Sequence, residues 1–207
     1  MEKIVIIGAG PHSKVIIDIF ERMKKYQIVG LSDSVNKGNV FDYPILGKDD
    51  ILQDIKKDVD YAFIAIGDNN IRKKLFYSVL SLGFKIVNAI SPDAVVSKHV
   101  NLGTGIAIMP GAVVNAGSII GDGSIINTNV SVDHDCIIGK FVHIAPGCAV
   151  SGSTKINDEC FIGTGSKIIN NIKIGEKTII GAGGVVIKDF PPKCMAVGIP
   201  AKIIKNL

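Results

Sequence analysis

Val114-Asn115-Ala116-Gly117-Ser118-Ile119-Ile120-Gly121-Asp122-Gly123-Ser124-Ile125-Ile126-Asn127 contains the pattern that decides the fold. Its aliphatics Val114, Ile120 and Ile126 are six apart. Stepping by six in both directions from there reaches Val96, Leu102 and Ile108, then Val132, Ile138, Ile144, Val150, Ile156, Ile162, Ile168, Ile174, Ile180 and Val186. Every position is Val, Ile or Leu. A second column, two residues earlier in each repeat, is mostly small: Ala112, Ser118, Ser124, Cys136, Cys148, Thr154, Cys160, Ser166 and Thr178. The residue after each aliphatic is often Gly or Asn, as at Gly103, Asn115, Gly121, Asn127, Gly139, Gly163, Gly175 and Gly181.

A period of six matches neither a helix nor an isolated strand. It suits a coil of short flat strands with one inward aliphatic per face and a turn at each corner, where Gly and Asn after the aliphatic would supply positive φ. Three hexads close one triangular coil, so residues 96 to about 190 make roughly five coils of a solenoid. Cys136, Cys148 and Cys160 share the small column at equal spacing. That marks them as packing residues, not as the clustered ligands of a metal site.

Residues 1 to 87 follow another pattern and form the expected first domain, with 88 to 207 as the second. Ile4 to Ile7 is a buried strand, followed by the turn Gly8-Ala9-Gly10-Pro11-His12-Ser13. A helix is expected over Lys14 to Lys25 with Val15, Ile16, Ile19 and Met23 inward. Gln27 to Leu31 is a strand ending at Ser32-Asp33, and a helix is expected at Lys48 to Lys57. The strand Tyr61 to Ile66 runs into Gly67-Asp68-Asn69-Asn70, with a helix from about Ile71 to Leu82 and a last strand over Gly83 to Val87. This order predicts a small Rossmann-like parallel sheet that takes ligands at the C-terminal ends of its strands. The glycine turn is half a dinucleotide fingerprint, with Ser13 in place of the third glycine and Asp33 about 20 residues on.

The net charge of +4 comes from 23 basic and 19 acidic residues in no dense block, and aromatic residues make up 6%. This composition argues against a nucleic-acid platform. No window has the roughly 18 apolar residues of a membrane span. Met1-Glu2-Lys3 and the short apolar run after it do not read as a signal peptide, so a soluble, cytoplasmic protein with four free thiols is expected.

Among the four histidines, His134 stands out in Asp133-His134-Asp135. A carboxylate on one ring nitrogen fixes the tautomer and raises basicity, leaving the other nitrogen to take a proton. Acyl transfer from a thioester needs one such base and backbone N–H groups for the oxyanion. No Gly-x-Ser-x-Gly elbow is present, so direct attack on the thioester is the simpler reading.

Several motifs then carry a family resemblance across nearly the whole chain. They are Gly8-Ala9-Gly10-Pro11-His12-Ser13-Lys14, Phe63-Ile64-Ala65-Ile66-Gly67-Asp68-Asn69 with Ile71-Arg72-Lys73-Lys74, and Gly83-Phe84-Lys85-Ile86-Val87-Asn88. Asp133-His134-Asp135-Cys136-Ile137-Ile138-Gly139, Gly181-Ala182-Gly183-Gly184-Val185-Val186 and Val197-Gly198-Ile199-Pro200-Ala201-Lys202 complete the set. The chain resembles the bacterial sugar O- and N-acetyltransferases of the sialic acid acetyltransferase type. Within them it is most similar to those acting on UDP-4-amino-4,6-dideoxy sugars in the bacillosamine pathway.

The resemblance implies a left-handed parallel β-helix, a homotrimer with acetyl-CoA between neighbouring solenoids, and no metal. It implies His134 as catalytic base with Asp135 as its acidic companion, and His143, Gly152, Thr164 and Ala182 along the acetyl-CoA groove. Gly10, Pro11, His12, Ser32 and Asp33, with Asn69 and Arg72, match loops that hold the nucleotide-sugar. The implied reaction is acetyl transfer to the 4-amino group of a nucleotide-linked, UDP-type amino sugar. The alternatives are O-acetylation of a sialic-acid-like sugar and a non-catalytic ligand-binding solenoid. Two departures touch the nucleotide loops. Pro11 stands where relatives usually carry Gly, which removes one N–H donor, and Ser32-Asp33 stands where a pair of acids is common.

Overall fold

The computed structural model describes residues 1–35 and 37–207. They divide into two compact units, Met1–Pro92 and Asp93–Leu207, a boundary slightly beyond the one expected at 87.

The first unit holds a sheet built on β1 (Glu2–Ile7), whose Ile4 to Ile7 have no exposed surface. Burial on both faces is what parallel strands covered by helices require. Helix α1 (Pro11–Met23) leads to β2 (Tyr26–Ser32), then β3 (Asn39–Val40), β4 (Tyr43–Gly47), a single 3₁₀ turn at Asp49–Ile51, α2 (Leu52–Ile55), β5 (Tyr61–Ile64), α3 (Asn69–Ser81) and β6 (Lys85–Ile86). The spatial order is β3-β4-β2-β1-β5-β6, parallel throughout except for the β3–β4 hairpin.

Two local expectations change. Helix α1 begins at Pro11, pre-set for a first helical position, and buries Ile16, Ile17, Ile19 and Phe20. Val15 is exposed and Met23 half-buried, because the buried face runs along Ser13, Ile16, Ile17 and Phe20, with Val15 to one side of it and Met23 in the last turn. The helix expected over Lys48 to Lys57 is only the 3₁₀ turn and the four residues of α2, and the β3–β4 hairpin precedes it.

The second unit is a left-handed parallel β-helix, which reverses the usual crossover hand. Each two-residue strand ends on an aliphatic of the six-residue column and pairs with the strand eighteen residues on, as in Val96↔Val114↔Val132↔Val150↔Ile168↔Val186. Two further ladders carry Leu102 to Ile174 and Ile108 to Ile180. The last strands, Cys194–Val197 and Lys202–Asn206, close the third ladder as an antiparallel pair. The aliphatic column is buried from Ile108 onward, while Val96 and Leu102 in the first coil are half-buried. Each coil seals the one beneath it.

The small column has a second task. Ser118 Oγ donates to Asp133 O and Ser124 Oγ to Gly139 O, both at 2.7 Å. Cys136, Cys148 and Cys160 donate through Sγ to Ser151 O, Gly163 O and Gly175 O. Each acceptor is a carbonyl fifteen residues ahead, so small donors here satisfy corner carbonyls that the ladders leave over. Burial raises all three of these thiols, Cys160 to about 12. They are therefore packing residues, and inert ones.

The corners correct another expectation. Positive φ does not fall on the residue after the aliphatic; it falls two residues later, at every sixth position from Gly105 through Asn129, Asp135, Phe141 and Ser153 to Gly183. Glycine after the aliphatic answers to space. A Cβ at Gly121 would lie 2.6 Å from the carbonyl carbon of Gly139, and one at Gly163 would lie 2.5 Å from Ala182 N.

Candidate functional site

His134 lies at the corner after the strand Ser131–Val132. Its neighbour Asp135 takes that corner's left-handed conformation, φ 58°, which Asp tolerates better than most residues. The turn brings Asp135 Oδ2 to 2.9 Å from His134 Nδ1. Asp133 Oδ2 stands 4.0 Å from Nε2. Asp133 is held in turn: its Oδ1 accepts from the His134 backbone N–H at 2.8 Å and from Asn115 Nδ2 at 3.0 Å.

The hydrogen bond to Asp135, then the charge of Asp133, raise the His134 pKa above its usual value. Asn115 and the His134 amide hold Asp133 below the ordinary carboxylate range. Nδ1–H donates to Asp135, which leaves the Nε2 lone pair directed away from that carboxylate.

The dyad occupies space that two glycines leave open. A Cβ at Gly117, one coil before, would strike Asp135 Oδ1; a Cβ at Gly152, one coil after, would fall 2.7 Å from Cε1 and 2.8 Å from Nε2 of His134. The backbone is tied on both sides, with Asp135 N donating to Ala116 O and Ser153 N to His134 O.

His143 projects outward, half-buried, from the strand His143–Ile144. It packs edge-on against Phe161 at 5.2 Å and meets Asn127 Nδ2 at 3.1 Å through Nε2. Asn127 Oδ1 is occupied by Thr128 N, so its amide donates to the imidazole and Nε2 carries the lone pair. Thr164 and Ala182 are exposed and stacked one coil apart in the corner after that strand, with Gly183 N donating to Thr164 O. Within one chain, therefore, His134 and Gly152 share one corner, while His143, Thr164 and Ala182 gather at another.

In the first unit, the loops at the C-terminal ends of β1, β2 and β5 are bound to one another. Gly8 N donates to Ser32 O. Asp33 Oδ2 accepts from Ala9 N at 2.7 Å, and its Oδ1 from Val35 N at 2.8 Å. Gly10 is the N-cap of α1, with Pro11 behind it and Ser13 Oγ donating back to Gly10 O.

Ser32 is wholly buried, and its Oγ donates to Asp49 Oδ1 at 2.9 Å. Arg72 is also buried; its guanidinium donates to Ile66 O, Gly67 O and Asn69 Oδ1 at 3.1, 2.9 and 2.7 Å. Burial lowers it to about 10. Burial first, and Arg72 second, push His12 down to about 4, and its buried Nε2 has no hydrogen-bond partner among the described residues. Ser32 and Arg72 are thus both buried, with their polar atoms bonded to Asp49 and to the loop after β5.

The sequence reading missed Asn115, Asn127 and Asp49. The first was within reach of the repeat, since Asn115 and Asp133 differ by one coil.

A family model described as the PglD N-terminal domain matches residues 3–79. PerB from Caulobacter crescentus, solved in complex with CoA and GDP-perosamine, is 41% identical with a TM-score of 0.95, over 99% of this chain and 98% of that one. The acetyltransferase domain of PglB from Neisseria gonorrhoeae FA1090, solved in complex with acetyl coenzyme A, is 37% identical with a TM-score of 0.94, over 98% and 99%. WeeI from Acinetobacter baumannii AYE is 28% identical with a TM-score of 0.88, over 99% and 100%. With the repeat, the two units and identity along the full length in agreement, the chain belongs to the hexapeptide-repeat sugar N-acetyltransferases that carry a PglD-type N-terminal domain.

Proposed function

We propose that the protein transfers the acetyl group of acetyl-CoA to the 4-amino group of a nucleotide-linked amino-dideoxy sugar, with His134 as general base. The observation that carries this reading is the Asp135–His134 pair, whose Nδ1 bond to Asp135 leaves Nε2 unprotonated on the far side of the ring, given room by Gly117 and Gly152. The neutral amine attacks the thioester carbonyl, forming a C–N bond. Nε2 takes the proton from that nitrogen as charge develops on it, and the imidazolium is stabilised by Asp135 and Asp133. Collapse breaks the C–S bond, and the proton passes to the departing thiolate. A groove backbone N–H would hold the oxyanion.

Acetyl-CoA would lie along His143, Gly152, Thr164 and Ala182. Those residues fall at two corners of one solenoid, which favours a groove completed between neighbouring copies and hence a homotrimer. The nucleotide would rest on the loops of the first unit. Its phosphates would face the start of α1, where helix N–H groups favour anions, near Gly10, Pro11 and His12. Asn69, Arg72, Ser32 and Asp33 would shape the walls. UDP is the nucleotide we assign from the likeness to bacillosamine-type enzymes; GDP is the second reading, favoured by the relative solved with GDP-perosamine. Both cosubstrates are anionic metabolites, which suits a cytoplasmic enzyme.

Thiol release from acetyl-CoA, measured against UDP-, GDP- and dTDP-linked 4-amino sugars and free sialic acid, tests the reading. Turnover is expected with a nucleotide-linked amino sugar, and His134→Ala should lose about 10²–10⁴-fold. Turnover with sialic acid alone would favour O-acetylation, and NAD binding without acetyl-CoA binding would remove the acyltransfer reading.

A further inference from the structure

We infer that Asp133 is the residue that selects an amine over a hydroxyl as acetyl acceptor, by taking one hydrogen bond from the attacking nitrogen while Nε2 of His134 takes another. This rests on the acetyltransfer reading above and names what its site accepts. Asp133 is fixed at both backbone atoms: its N–H donates to Val150 O at 2.9 Å, and its carbonyl accepts from Ser118 Oγ at 2.7 Å. Its half-buried carboxylate is aimed through one oxygen, since Oδ1 accepts from Asn115 Nδ2 and from the His134 backbone N–H. Oδ2 is thereby turned to the imidazole, 4.0 Å from Nε2.

The proton of the neutral ring is on Nδ1, committed to Asp135, so Nε2 and Oδ2 are both acceptors and do not bond each other. Two acceptors at this separation suit a donor that bridges them. A nitrogen about 2.9 Å from each would see the pair at an angle of roughly 90°, close to the spread of two N–H bonds on one atom. Asp135 has no such part, because it lies on the Nδ1 side of the ring.

The transfer itself makes that donor an amine. A neutral amine brings two N–H bonds. Nε2 removes one proton as the C–N bond forms, and the other stays on nitrogen as the N–H of the product amide, so its bond to Asp133 persists throughout. The positive charge that develops on nitrogen before the proton leaves strengthens that bond. A hydroxyl brings a single O–H, which Nε2 must take. It then turns a lone pair toward the Asp133 carboxylate, which only accepts.

The test is equilibrium binding of UDP- and GDP-linked 4-amino-4,6-dideoxy sugars and their 4-hydroxyl counterparts to the full chain, to Asp133→Asn and to Asn115→Ala. With the nucleotide that binds, the parent should hold the amino sugar roughly ten- to hundredfold tighter than the hydroxyl sugar. In Asp133→Asn that preference should shrink to within about threefold. The hydroxyl sugar and acetyl-CoA should bind this variant as they bind the parent, which also reports that it is folded. Asn115→Ala keeps the charge of Asp133 but removes one of the two donors that aim it, so the preference should fall severalfold. A parent that binds both sugars equally, or a preference that persists in Asp133→Asn, overturns the assignment without touching the acetyltransfer reading. So does a preference lost in Asp133→Asn but whole in Asn115→Ala, since that is the mark of a general field and not of an aimed contact. Amine preference with its Asp133 dependence, but no thiol release from acetyl-CoA, overturns the acetyltransfer reading and leaves Asp133 as the residue that holds the amine. Failure of every sugar to bind overturns both.

Discussion

The imidazole of His134 lies over the α-carbon of Gly152, so close that a Cβ there would sit 2.7 Å from Cε1 and 2.8 Å from Nε2. Gly152→Ala must push the ring aside, and the ring can move because it is exposed on its outer side. Misplacing a catalytic group by about 1 Å costs on the order of a hundredfold. Thiol release should fall by that order while the melting temperature barely changes. An alanine variant with full turnover would show that this ring position is not the working one.

In the proposed mechanism acetyl transfer should rise with pH through the His134 pKa, since there only the neutral imidazole could accept the amine proton. Asp135 and then Asp133 raise that pKa. Asp135→Asn should therefore move the acid limb of the kcat profile to lower pH, and Asp133→Asn should move it the same way by less. A limb that stays in place in both variants would take His134 out of the rate-limiting proton transfer.

Two glycines of the solenoid should answer substitution in opposite ways. Gly121 has its Cβ position against backbone, 2.6 Å from the Gly139 carbonyl carbon, and backbone cannot swing aside. Gly121→Ala should cost several kcal/mol, on the order of core overpacking or more. Gly165 has φ 73° but nothing within 4 Å of its Cβ position. Gly165→Asn, which tolerates that conformation, should cost about 1 kcal/mol or less. Urea midpoints of the two variants compare them directly.

His12 links stability to acidity. Its pKa is 6.5 when unfolded and about 4 when folded, so the unfolded chain binds the proton first and stability falls as pH drops. The contribution is complete above pH 6.5 and is lost towards pH 4, roughly 3 kcal/mol across that window. His12→Asn should flatten the fall in urea midpoint between pH 7 and 4.5. Parallel slopes for parent and variant would mean that His12 titrates normally.

How far the sequence could be read differed between the two units. In the solenoid, Val132 predicts the strand and the buried cysteines follow from their column, while the step of eighteen that sets Asn115 and Gly152 beside Asp133 and His134 was present in the repeat but went unread. The corner conformation was misplaced because Gly at 121 and Gly at 165 look alike in sequence, although one answers to space and the other to φ. In the α/β unit, neither the burial of Ser32 and Arg72 nor the meeting of Ser32 with Asp49 was legible. Strand order there is β4-β2-β1-β5, and no fixed interval connects neighbours.

The sequence by itself determined the repeat, its three faces, the column of small residues and the lone histidine between two acids. Each is a property of spacing along one dimension, and a solenoid turns spacing directly into contact. Only the tertiary structure decided that Asp135, with its left-handed corner, takes Nδ1 of His134, that Gly117 and Gly152 leave the pair its room, and that Ser32 meets Asp49 across seventeen residues. Those outcomes depend on corner geometry and on the crossing of distant segments, which side-chain order does not encode in any simple interval.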